Sequence, residues 1–196
     1  MNLPDCTGDQ RRIGVAVEIP EPYGPMLQEA RAVVGDLLAS SIPPHITMLG
    51  PTTLEPEELE EVEGHLRQIA AAQRPFLIRL RGTGTFRPVS DVVFVQVAGG
   101  ITECEALETR VRSGPLSHDR RYHYHPHVTV AHDVPAPALD QAFEDLATFE
   151  AVFRVTEMHM YEHGSDEVWR PIRTFAFGAV PPGDAEALGP LVPPLA

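Results

Sequence analysis

Stretches of this chain in which apolar residues alternate or run together give way to stretches in which they recur at helical spacing, a pattern of strands interleaved with helices. Arg12 to Ile19 reads as a strand. Met26, Leu27, Ala30, Val33, Val34, Leu37 and Leu38 then predict a helix over Pro25 to Leu38, and Ile42 to Leu49 reads as the next strand. Pro56 suits a first helical turn, where glutamates meet the positive end of the helix dipole, and Leu59, Val62, Leu66 and Ile69 form that helix's apolar stripe. Phe76 to Phe86 and Val92 to Val97 read as strands joined by a turn at Pro88 to Asp91.

The second half repeats the plan. A helix is expected around Ile101 to Val111, a strand from Tyr122 to Ala131, a helix from Pro137 to Leu146, and strands near Phe149 to Glu162 and Val168 to Phe177. The class this predicts is α+β, in two similar lobes. The likeness of the halves lies in element order and one short motif, so an internal duplication is suggested and not demonstrated. Pro, Gly and Ala dominate from Pro181 onward, so one domain is expected over residues 1–180 and an irregular tail over 181–196.

With 43% hydrophobic residues, a chain of 196 can bury a real core. Its formal net charge of −13 argues against gripping extended nucleic acid, which needs a basic face. A small or end-bound substrate fits better. Arg110, Arg112, Arg120 and Arg121 leave room for a restricted positive mouth, although solvated surface is the commoner use of such residues. Cys6 and Cys104 have neither disulfide-framework nor zinc-ligand spacing. Neither a signal-peptide pattern nor an apolar run of membrane-spanning length is visible, so a cytoplasmic monomer without membrane contact is expected.

The candidate chemistry sits in two matching stretches, Pro44-His45-Ile46-Thr47-Met48 and Pro126-His127-Val128-Thr129-Val130. Strand side chains alternate faces, so His and Thr of each motif project from one side. Two such strands would aim two imidazoles and two hydroxyls at one place. Imidazole titrates near neutrality and hydroxyls donate to phosphate oxygens, which suits acid–base chemistry on a phosphate. One such motif alone is weak. Two, each after a proline and at corresponding places in the halves, make coincidental core histidines the lesser reading.

Tyr122-His123-Tyr124-His125-Pro126-His127 supports a competing reading, with His123, His125 and His127 alternating as metal ligands. Pro126 interrupts a ladder there, and Thr129 continues the face. Phe86, Tyr122, Tyr124, His123 or His125 could instead line a pocket and contact a base or ribose, against the default of packing. The glycines at 82 and 84 lack the lysine and the helix of a phosphate-binding loop. His159 and His163 read as packed or exposed.

The paired motifs resemble those of the 2H phosphoesterase superfamily over about residues 11 to 178. PPHITMLGP and HPHVTVAH are most similar to its 2′-5′ RNA ligase-like, RNA 2′,3′-cyclic phosphodiesterase branch. The resemblance implies a bilobal α+β fold, with two pseudo-symmetric antiparallel-sheet lobes, outer helices and a central cleft carrying one motif from each. It implies catalysis by His45 and His127, phosphate binding by Thr47 and Thr129, no cofactor or metal, and a substrate that is a small nucleotide or an RNA end, usually released as the 2′-phosphate. The alternatives are a binding module for a cyclic nucleotide or phosphorylated metabolite, and the metal-dependent hydrolase built on His123, His125 and His127.

Overall fold

The computed structural model describes residues 3–119 and 122–178. Its elements are β1 (Arg11–Glu18), α1 (Tyr23–Val33), β2 (His45–Leu54), α2 (Leu59–Ala72), β3 (Phe76–Thr85), β4 (Val92–Gly99), α3 (Ile101–Val111), β5 (His127–His132), α4 (Ala136–Asp145), β6 (Glu150–Val155), β7 (Glu157–His163) and β8 (Trp169–Ala176). Short 3₁₀ turns lie at Leu37–Ser40, Pro56–Glu58 and Gly114–Leu116.

All eight strands join one antiparallel sheet in the order β6-β3-β4-β5-β2-β1-β7-β8. The chain builds one half from β1 and β2, crosses over to make the other from β3 to β6, then returns with β7 and β8. The α+β class and antiparallel arrangement are therefore as expected. The two lobes, however, are halves of one continuous sheet, and the join is narrow: β2 and β5 share a single register pair, Ile46 with Val128. Helix α2 packs on β8, α3 on β2, α1 on β5, and α4 on β3, β4 and β5. One apolar cluster runs through both halves, from Ile13 and Ile46 to Val128 and Phe175.

Several boundaries move for identifiable reasons. The helix expected to Leu38 stops at Val33, because Gly35 turns at φ +78° and the Asp36 carboxylate accepts the Leu38 N–H to start a 3₁₀ turn. Leu37, counted in the apolar face, is 89% exposed. The strands expected from Ile42 and Tyr122 begin instead at His45 and His127, directly after Pro44 and Pro126, which have no N–H for a ladder. Phe149 to Glu162 divides into β6 and β7 at Thr156. The expected tail, Arg120 and Arg121 lie outside the described residues. Among those described, no helix is long and apolar enough to cross a membrane.

Candidate active site

The β2–β5 join sets the geometry. Antiparallel pairing of Ile46 with Val128, carried one residue either way, puts His45 opposite Thr129 and Thr47 opposite His127. Directly opposed residues have Cβ atoms about 5 Å apart, so the imidazoles lie on a diagonal and the hydroxyls on the other. The flanking strands complete the floor. Ala16 and Glu18 of β1 pair with Thr47 and His45, and Phe94 and Gln96 of β4 pair with Thr129 and His127. Ile46 and Val128, facing the other way, are fully buried, which fixes the register because a one-residue slip would invert every side chain.

Both imidazoles are oriented by the same device. His45 Nδ1 lies 2.7 Å from the Pro43 carbonyl, and His127 Nδ1 lies 2.7 Å from the His125 carbonyl. A carbonyl only accepts, so each Nδ1 carries the proton and each neutral ring keeps its Nε2 lone pair free. The proline before each histidine leaves the chain extended there, which brings the carbonyl two residues back within reach.

Burial holds both histidines below the usual imidazole range. For His45, desolvation is the main cause, opposed by the Pro43 hydrogen bond and reinforced by the Arg31 charge. For His127 the value falls to about 4, mainly through desolvation, opposed by the His125 carbonyl hydrogen bond and reinforced by the charges of His125 and His45. The apolar surroundings of His127 are two phenyl rings, Phe86 at 5.0 Å and edge-on, and Phe94 at 5.2 Å between centroids. Phe94 can lie there because Gly84 on β3 has no Cβ; one would stand 2.6 Å from Phe94 Cε2 and Cζ. Gly84→Ala is therefore expected to displace Phe94 against His127. Thermal or urea unfolding should register a loss of about 1–3 kcal/mol from overpacking, and the His127 ring resonances should shift in NMR spectra.

A cavity of about 210 Å³ is lined by His45, Thr47, His127 and Thr129 together with Arg31, Leu38, Ile42 and His132. The structure thus brings all four motif residues to one space. A wider groove of about 540 Å³ adjoins it at Thr47 and His127 and is lined in part by Phe86, Tyr122, Tyr124, His123 and His125. On the other side a space of about 60 Å³, mostly apolar, lies between His45 and Trp169, Tyr161 and Pro51, and a groove of about 300 Å³ adjoins the cavity at Leu38, Ile42 and His132.

The remaining sequence candidates separate. Tyr124 lines the wide groove, but its hydroxyl is occupied, donating to the Thr47 carbonyl at 2.9 Å. That bond ties the segment before β5 to β2 where the sheet has a single ladder pair. Tyr124→Phe should cost about 1 kcal/mol of unfolding free energy, and by loosening the spacing of the two motifs about tenfold in kcat; urea titration and steady-state kinetics measure the two. The metal set is not assembled. His123 and His125 are exposed, residues 123–126 are not strand, and among the described residues no three His, Cys, Asp or Glu side chains converge to hold an ion. Of the two described arginines of the basic cluster, Arg112 reaches the wide groove, while Arg110 bonds Gln73. His159 is buried against Thr174 Oγ1 at 3.1 Å, and His163 packs on Trp169.

Sequence reading missed Arg31, Phe94, His132 and Glu18. The last, whose carboxylate accepts from the Tyr161 hydroxyl, is the cross-strand neighbour of His45. Phe94 had a signal, its alternation within β4, but nothing in sequence pairs β4 with β5.

Comparison with known proteins gives concordant matches. The family model described as the 2′-5′ RNA ligase superfamily matches residues 19–167. A Bacillus pumilus protein named "Putative phosphoesterase" is 32% identical over 145 residues, covering 70% of this chain and 81% of that protein. The crystal structure of E. coli LigT complexed with NADP+ superimposes with a TM-score of 0.61 at 18% identity, over 87% of this chain and 99% of LigT. LigT complexed with 3′-AMP gives 0.59 at 17%, over 86% and 98%. At these identities the two structures establish a shared fold.

Proposed function

This chain belongs to the 2′-5′ RNA ligase superfamily of 2H phosphoesterases, and from that premise we propose that it is a metal-independent phosphodiesterase that opens 2′,3′-cyclic phosphates on small nucleotides or RNA ends. The observation that carries the reading is the pair of Nδ1–H-anchored imidazoles on one cavity with a threonine hydroxyl opposite each. Two imidazoles suffice for the proton inventory: one, neutral, takes a proton from water as its oxygen attacks phosphorus, and the other, protonated, gives one to the ribose oxygen as the P–O bond breaks. Thr47 and Thr129 donate to the non-bridging oxygens, where charge grows in the transition state.

The unequal spaces beside the histidines suggest the roles. A nucleoside is best accommodated in the wide groove beyond His127, which at about 540 Å³ exceeds the 60 Å³ space beside His45 and the 300 Å³ groove past His132 and is edged by Phe86, Tyr122, Tyr124 and His125. In-line displacement puts attacking water opposite the departing oxygen, so His127 is the acid and His45 the base. The LigT complexes with 3′-AMP and NADP+ support a nucleotide-sized ligand, and the net charge of −13 supports a small or end-bound one. We take the described residues as one catalytic unit.

The test is hydrolysis of 2′,3′-cyclic nucleotides and of a short RNA ending in a 2′,3′-cyclic phosphate, with excess chelator. Chelator-resistant turnover lost in His45→Ala and in His127→Ala is the expected result. Binding without turnover would replace the enzyme reading with the binding-module one, and activity restored only by added metal would overturn the metal-independent one.

A further inference from the structure

Helix α1 turns an arginine inward. Gly24, Leu27 and Arg31 are its buried residues, and Arg31 is only 3% exposed. A buried guanidinium without partners is severely unfavourable, and this one is paired with an equally buried carboxylate. Asp36 Oδ2 lies 3.1 Å from Nε and 3.0 Å from Nη2, and Nη1 donates to the Ile42 carbonyl at 3.0 Å. Those contacts use Nε–H and one Nη1–H as hydrogen-bond donors and set Nη2 in an ion pair with the same carboxylate oxygen. Guanidinium has five donors, so at least two are left over, on a side chain that lines the 210 Å³ cavity with both histidines and both threonines. Of the residues lining that cavity, Arg31 alone carries a permanent positive charge.

We propose that Arg31 is a phosphate-binding residue, donating its remaining N–H groups to a non-bridging oxygen of the bound phosphodiester and balancing the charge that develops there during displacement. The proposal rests on the phosphodiesterase reading above. Packing alone does not account for the arginine, because a buried ion pair is at best about neutral for stability against apolar residues of like volume. A planar, weakly hydrated fork suits phosphate oxygens where two hydroxyls supply hydrogen bonds but no charge. Asp36 gives the arrangement a second property. By compensating most of the Arg31 charge, it keeps the more highly charged phosphomonoester product from being held too tightly.

The experiment measures inorganic phosphate binding at pH 7 to wild type, Arg31→Met and Asp36→Asn, beside their kinetics on a 2′,3′-cyclic nucleotide. Arg31→Met should weaken phosphate on the order of 10- to 100-fold and lower kcat/KM by about 10²–10³. Asp36→Asn retains an oxygen for the Leu38 N–H, so the 3₁₀ turn survives. It should tighten phosphate several-fold, with kcat and KM both falling as product leaves more slowly. A merely structural Arg31 predicts phosphate affinity within twofold of wild type in Arg31→Met and unchanged or weakened binding in Asp36→Asn, and either result overturns the proposal. Should Arg31→Met fail to fold, the Asp36→Asn measurement decides, and should Asp36→Asn, which leaves the guanidinium without its counter-charge, fail instead, Arg31→Met decides. If wild type turns over no cyclic nucleotide, the phosphodiesterase reading falls, while phosphate binding still judges Arg31.

Discussion

His45→Ala and His127→Ala are each expected to lower kcat on a 2′,3′-cyclic nucleotide about 10³-fold, or about 4 kcal/mol of transition-state stabilisation, with the double variant little worse than either single one. The non-additivity follows from mechanism, since one proton transfer without the other leaves an alkoxide or an unactivated water. Removing either ring should not unfold the protein, because both are only half-buried and line a cavity. The assignment of His127 as acid makes a sharper demand. Nitrophenolate departs without a proton, so on bis(p-nitrophenyl) phosphate the loss in His127→Ala should shrink to about tenfold or less, while that in His45→Ala persists. Equal losses on both substrates would refute that division of labour, and near-wild-type activity of either variant on the cyclic nucleotide would refute the two-histidine mechanism itself.

The parts of this site legible in sequence are those encoded locally. Period-two alternation places His45 with Thr47 and His127 with Thr129 on single faces, and a proline before each histidine sets the carbonyl that fixes its tautomer. What brings the motifs together is not local. The Ile46–Val128 pair and the Tyr124 hydrogen bond to Thr47 join residues 82 and 77 positions apart, and no periodicity reports them. Arg31 was hidden for a different reason. Its spacing from Leu27 matches the buried stripe of α1, but a charged residue at an inward position reads as surface unless its partner is known. That partner, Asp36, became visible only when the helix was seen to end before Gly35. The alternating His123, His125 and His127 illustrate the converse. The pattern is real in the sequence, but it needs strand backbone from residue 123, and strand begins only at His127.

Depressed histidine values give the second large expectation. The productive form has one neutral and one protonated imidazole, and in the free protein both groups lie below the ordinary 6.5, His127 at about 4. The free-enzyme kcat/KM bell lies between those two depressed values, so kcat/KM should fall as pH rises from 6.5 to 8, with a slope approaching tenfold per unit. Bound phosphate favours the imidazolium, so the kcat optimum should lie at higher pH than that of kcat/KM. Stability has the opposite sign. With native values below 6.5, the unfolded chain binds more protons between pH 6.5 and about 4, so the contribution of these groups is full above 6.5 and is lost as pH falls through that window. The slope is at most about 1.4 kcal/mol per pH unit for each histidine. Urea titrations at pH 7.5, 6 and 5 should show it, and His127→Gln should flatten it. The same desolvation by Phe86 and Phe94 therefore drives activity toward acid and stability away from it. A kcat/KM that is flat or rises between pH 6.5 and 8 would show that burial does not set the working protonation states.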